Sequence, residues 1–115
     1  MNAQSIYDCA GEDGIQNKAC FVSLPSPLRL VIKQTQIKIQ QAVESSNPGR
    51  KIKPTSGFRA PVVNLKHGGK SNSLHLWGFA RDFRYYDDEP SPFNVPDFLE
   101  CIKSTNCWHV GYKRI

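Results

Sequence analysis

The sequence predicts an α+β domain in which a small, mostly antiparallel sheet packs on one long helix. Three observations lead there. Residues 26 to 46 repeat apolar side chains at three- and four-residue steps, the pattern of a helix with one buried stripe. Beyond residue 50 the chain breaks into short runs of β-branched and aromatic residues punctuated by Pro and Gly. A length of 115 residues leaves room for a single core. The hydrophobic share of 39% is enough to fill that core, and no run approaches the ~18 apolar residues of a membrane span.

Each element has its own signals. Residues 1–24 have weak periodicity and the turn-rich "GEDG", so they are predicted to form an irregular arm ahead of a single domain at 25–115. Ser26 can cap the long helix, and Pro27 fits its first position, where a missing N–H costs nothing. Leu28, Val31, Ile32, Thr35, Ile39, Ala42 and Val43 form the stripe, and "SSNPG" ends it. "RKIKPTSGF" reads as a short strand whose Pro54 belongs at an edge or a strand end. Residues 59–74 read as a loop. In "LWGFARDF" aromatic and small residues alternate, which predicts a strand. Leu76, Gly78, Ala80 and Asp82 would share one face, with Trp77, Phe79, Arg81 and Phe83 on the other. "YYDDEPSPFNVP" then reads as a loop, "PDFLECIKS" as a short helix and "CWHVGYKRI" as a closing strand.

Charge and cysteines narrow the setting. The net charge of +5 favours anionic partners: nucleic acid, acidic lipid or an anionic cell-wall polymer. Lys and Arg are scattered and no patterned aromatic platform accompanies them, which argues against a nucleic-acid binder. The N-terminus lacks a basic start followed by an apolar run, so no secretory signal is read there. Cys9, Cys20, Cys101 and Cys107 lack the CxxC spacing of a zinc knuckle. They read as reduced thiols, with the pairs Cys9–Cys20 and Cys101–Cys107 as the alternative for an oxidising compartment.

The residues that carry chemistry lie in "SGFRAPVVNLKHGGKSNSLHLWGFARDF". An unpaired carboxylate inside the apolar "GFARDF" would be costly, so Asp82 needs a cation or a metal. His75 precedes it and His109 follows in the last strand. Two imidazoles and a carboxylate are a catalytic zinc set with a fourth position left for water. Spacing alone leaves a second reading open for each histidine, a hydrogen-bonded core imidazole.

The ordered pattern "SGFRAPVVN", "GGKSNSLHLWGFARDF" and a late "WHVGY" resembles the zinc peptidases that cleave D-amino-acid peptide bonds of bacterial peptidoglycan. These are the D-alanyl-D-alanine carboxypeptidases and dipeptidases and the phage L-alanyl-D-glutamate endolysins, whose fold is shared by the hedgehog signalling domain. The resemblance covers about residues 54–83 and 107–113 and leaves 1–24 outside it. It implies that His75, Asp82 and His109 are zinc ligands, that Arg59 contacts substrate and stabilises the developing oxyanion, and that Ser73 lines the site. Gly68 and Gly69 would turn the loop so that Ser73 and His75 face the metal. His67 reads as exposed and not ligating.

The general base stays open. Many members of the family it resembles keep a Glu, Asp or His three positions before the last ligand, and some lack it; this chain has Asn106 there. Glu100 and Asp97 are predicted to sit on a separate element, and Asp87, Asp88 and Glu89 in a loop able to fold over the site. The expectation is a zinc-dependent hydrolase of the peptidoglycan stem peptide, a phage-type lysis or entry enzyme. It would act as a monomer at the bacterial cell wall or periplasm, with no nucleic acid or membrane partner. The competing expectation is a zinc-stabilised module that binds cell wall or protein without cleaving it.

Overall fold

The computed structural model describes residues 11–69, 73–85, 93–103 and 107–113. Cys9, Asp87, Asp88, Glu89 and Asn106 lie outside the described residues. Helices α1 (Gly11–Ser23) and α2 (Ser26–Ser46) come first, followed by strand β1 (Ile52–Ser56) and a short helix α3 (Pro61–Lys66). A 3₁₀ turn (Leu74–Trp77) leads into β2 (Ala80–Tyr85), and β3 (Leu99–Lys103) and β4 (Trp108–Tyr112) complete the chain. No helix among the described residues is long and apolar enough to cross a membrane.

The long helix forms where the periodicity predicts it, but its details shift. Pro25 occupies the cap position without a side-chain capping bond, so Ser26 opens the helix instead of capping it. The buried stripe is Ile32, Gln36, Ile39, Gln40 and Val43, while Leu28 and Val31 remain 37% and 46% exposed. Two residues of the stripe are polar. The Gln36 amide nitrogen donates to Gly78 O and Ala80 O, and its Oε1 accepts from Arg81 Nη1 at 2.8 Å. Burial of Ile32, Ile39 and Val43 contributes about 1.5–3 kcal/mol each.

The sheet runs in the order β1-β2-β4-β3, and every neighbouring pair is antiparallel. Pro54 lies on β1, an edge strand, where its missing N–H is tolerated. The pairings Asp82↔His109 and Ile102↔His109 fix which side chains share a face. Phe83, Leu99 and Val110 point to α2 and form a core with Ile39, Val43 and Phe93. Arg81 shares that face, fully buried, with its guanidinium over the Phe83 ring. Asp82, His109, Glu100 and Ile102 occupy the opposite face.

Three predicted segments differ. The expected irregular arm is helical over Gly11–Ser23. Its own apolar pattern is weak, and tertiary contacts hold it: Phe21 packs with Ile32 and Phe58, and Asn17 Oδ1 accepts from Ala60 N at 2.7 Å. Asp13 bonds Lys66 at 2.9 Å and His67 at 2.7 Å, which lowers the Asp13 carboxyl and raises Lys66. The expected loop at 59–74 contains α3, started by Pro61 and buried through Val63 and Asn64. "PDFLECIKS" is a turn followed by a strand, because pairing Leu99–Lys103 with β4 buries Leu99 under α2. A helical N-terminus signal lost to that pairing.

The strand in "LWGFARDF" also starts later than the alternation predicts, at Ala80. Leu74–Trp77 forms the 3₁₀ turn, and Gly78 closes it at φ 74°, a left-handed conformation glycine favours. A Cβ on Gly78 would meet Ile32 Cγ2 at 2.7 Å, so this glycine seats the turn on α2. Cys20, Cys101 and Cys107 carry thiols and no disulfide, so the Cys101–Cys107 pair is not formed. Burial raises the Cys20 and Cys101 thiols.

Candidate metal centre

Asp82 reaches the open face because β2 alternates: Arg81 and Phe83 go to α2, so the residue between them cannot. Pairing with β4 sets His109 directly beside it. The 3₁₀ turn brings in His75 from a third element, anchored by the backbone bond from Arg59 N to His75 O at 3.0 Å. His75 is 2% exposed, and its Nδ1 lies 2.8 Å from Gly57 O. A carbonyl only accepts, so Nδ1 donates to it, and the inward-facing Nε2 is the ring atom left for a metal.

His75 Nε2 faces two other polar atoms. His75 Nε2 lies 3.2 Å from Asp82 Oδ1 and 3.2 Å from His109 Nδ1, and His109 Nδ1 lies 3.0 Å from the same Oδ1. The same three atoms that can share protons in this way can instead hold a cation. Tetrahedral zinc with ligand bonds of ~2.0–2.1 Å sets its ligand atoms about 3.3–3.4 Å apart, close to the triangle found here. The donor set of two nitrogens and one carboxylate oxygen also suits zinc. Among the described residues, His75, Asp82 and His109 are grouped so that they could hold a metal.

The second oxygen of Asp82 faces elsewhere. Arg59 Nη2 lies 3.5 Å from Oδ2, so the carboxylate divides its oxygens between the histidines and a guanidinium. Burial pushes the Asp82 carboxyl up, but hydrogen bonds and charge from His109 and His75 outweigh this and hold it well below the usual carboxylate range. Arg59 itself is held from behind. Its Nη2 donates to Ser56 Oγ at 3.2 Å and its Nη1 to Asn64 Oδ1 at 3.3 Å.

The other sequence-derived candidates are placed less centrally. Ser73 caps the 3₁₀ turn, its hydroxyl accepting from His75 N at 3.3 Å, so its bond on this structure orients a ligand candidate. Gly68 adopts φ 70°, as a sharp turn requires, whereas Gly69 shows no positive φ. His67 is half exposed and bonded to Asp13, away from the metal group. Glu100 lies on β3, a strand of the same sheet, and not on a helix. It pairs with Gly111, two residues beyond His109 on the same face, and is the only other acid on the described strands. Sequence reasoning assigned no role to Ser56, Gly57 or Asn64, although all three stand in the quoted "SGFRAPVVN". The signal was their spacing around Arg59.

No curated protein and no solved structure matches the chain. The family model described as peptidase M15 matches residues 7–115, which takes in α1 as well as the region of resemblance. That span and the His75–Asp82–His109 group agree, and the chain belongs to the peptidase M15 family of zinc-dependent peptidases.

Proposed function

We propose that the protein is a zinc peptidase that cleaves a peptide bond of the peptidoglycan stem peptide, as a D-alanyl-D-alanine carboxypeptidase or L-alanyl-D-glutamate endopeptidase of phage type. The observation that carries this reading is the triangle of His75 Nε2, Asp82 Oδ1 and His109 Nδ1, three potential ligand atoms spaced as around a tetrahedral zinc. His75, Asp82 and His109 would hold the metal. Zinc, when bound, supplies Lewis-acid polarisation of the scissile carbonyl and activation of water near neutral pH.

The chain's own residues complete the chemistry. Gly57 O fixes the His75 tautomer, so that Nε2 faces the metal without rearrangement. Arg59, 13% exposed at the side chain, presents a fixed cation beside Asp82, able to stabilise negative charge developing on the attacked carbonyl. Ser73 orients His75 and lies where a hydroxyl could also bond the substrate. Glu100 is our candidate for moving the proton from water to the leaving amine, because it shares the sheet face of His109.

A second reading draws on the Arg59–Asp82 ion pair. If that pair serves only to hold the carboxylate, the domain is a zinc-stabilised module that binds cell wall without cutting it. Incubating the protein with purified peptidoglycan, with and without zinc, and identifying released fragments by mass spectrometry separates the two. Zinc-dependent fragments with a defined new terminus support the peptidase. Zinc binding and peptidoglycan retention with no fragments support the module.

A further inference from the structure

Arg59 is useful to catalysis only if its guanidinium stays fixed, and the structure shows what fixes it. The planar fork has divergent N–H groups, and two of them are taken by neutral acceptors on different elements. Ser56 Oγ at the end of β1 accepts from Nη2, and Asn64 Oδ1 in α3 accepts from Nη1. Asn64 is 4% exposed, so this bond is shielded from water. Its backbone has a separate job: Asn64 N donates to Ala60 O at 2.9 Å, and Asn64 O accepts from Gly69 N at 2.8 Å. Main chain closes the helix and the turn, and the side-chain Oδ1 serves Arg59.

Gly69 enters through space. It has no positive φ, so conformation does not call for glycine there. A Cβ at this position would collide with the Asn64 side chain, meeting Cγ at 2.6 Å and Oδ1 still closer. No backbone atom is among those nearest neighbours. An alanine would therefore push the amide aside and leave the main chain in place.

We propose that Asn64 is the positioning residue for Arg59, and that Gly69 lacks a side chain in order to admit the Asn64 amide. This rests on the peptidase reading, in which Arg59 faces the developing charge. Asn64 acts through Arg59 and touches neither substrate nor metal.

The test is a double-mutant cycle on peptidoglycan cleavage, with zinc content and unfolding followed in parallel. Asn64→Leu removes the acceptor at similar volume, and Gly69→Ala displaces it. Each should lower kcat by about 10²-fold with KM and zinc content near wild type, the scale of a misplaced catalytic group. In an Arg59→Ala background neither substitution should lower the rate further by more than about twofold, because the group they position is gone. Losses that persist in that background overturn the proposal, as they show Asn64 acting on fold or substrate directly. Unchanged kcat in Asn64→Leu overturns it too. If wild type cleaves nothing while binding zinc, the peptidase reading fails and takes this inference with it, whereas cleavage with additive losses overturns the inference alone.

Discussion

On one face of the sheet, Phe83, Leu99 and Val110 meet Ile39 and Val43 of α2 and are sealed from water. On the other, the same strands present Asp82 and His109 to His75 and Arg59, with the His109 side chain 27% exposed. On the first face Gln36 serves two carbonyls and Arg81 at once. The second leaves three lone-pair donors converging on one point. Alternation along β2 and β4 makes both faces from neighbouring residues, so a single strand carries core and site one position apart. The difference teaches that the site is marked by which groups converge, two imidazoles and a carboxylate on one face, while the opposite face is filled mainly by apolar side chains.

The largest expected effect breaks the open face alone. Wild type should bind about one zinc per chain, and His75→Ala or Asp82→Ala should bind almost none and cleave nothing. Metal analysis of the purified variants checks this, and equal zinc in all three would end the metal-site assignment. Circular dichroism should show the helical signal retained, because the α2 face is untouched.

Glu100→Gln comes next. If Glu100 moves the proton, cleavage should fall by about 10²–10⁴-fold with zinc unchanged. A rate within twofold of wild type would exclude it. The complementary variant Asn106→Glu, at the position where relatives keep their acid, would then be expected to raise cleavage.

Ile39→Ala attacks the sealed face. Ile39 is fully buried, and its truncation should cost about 2–5 kcal/mol in urea unfolding. Zinc per folded chain should stay at the wild-type level. A variant of normal stability that had lost zinc would contradict the separation of the two faces.

The smallest effect lies outside both, where α1 is tied to the end of α3. Asp13 has its carboxyl lowered by bonds to Lys66 and His67. A lowered folded value means that the ionised pair stabilises the protein above the ordinary aspartate value of ~3.9 and loses this as pH falls through the lowered value. Asp13→Asn should therefore shift the urea midpoint slightly at pH 7 and progressively less as the solution is acidified below ~4. High salt should shrink the difference. A difference that grows on acidification would reverse the assigned sign.

How much of this was legible beforehand depends on the range of the interaction. The α2 helix was readable because its period is local, but its buried stripe differs from the predicted one: Gln36 and Gln40 are buried while Leu28 and Val31 are exposed. Helix α1 was not, since Phe21, Asn17 and Asp13 are its ties and each needs a partner far along the chain. The strand at Leu99–Lys103 hid for a similar reason: its pairing with β4 outweighed a local helix signal.

For the site, the residue types and their order were enough to name His75, Asp82, His109 and Arg59 as candidates. Residue chemistry is written in the chain, and a carboxylate among bulky apolar neighbours raises its own question. What only the tertiary structure decided is how those groups meet. Register across β2 and β4 sets Asp82 beside His109, and the 3₁₀ turn seated on Ile32 brings His75 to the same oxygen. Ser56 and Asn64 take opposite arms of the Arg59 fork from two different elements. Contacts of 3.0 to 3.5 Å between residues up to 34 positions apart depend on every turn between them, so only the folded chain fixes their distances.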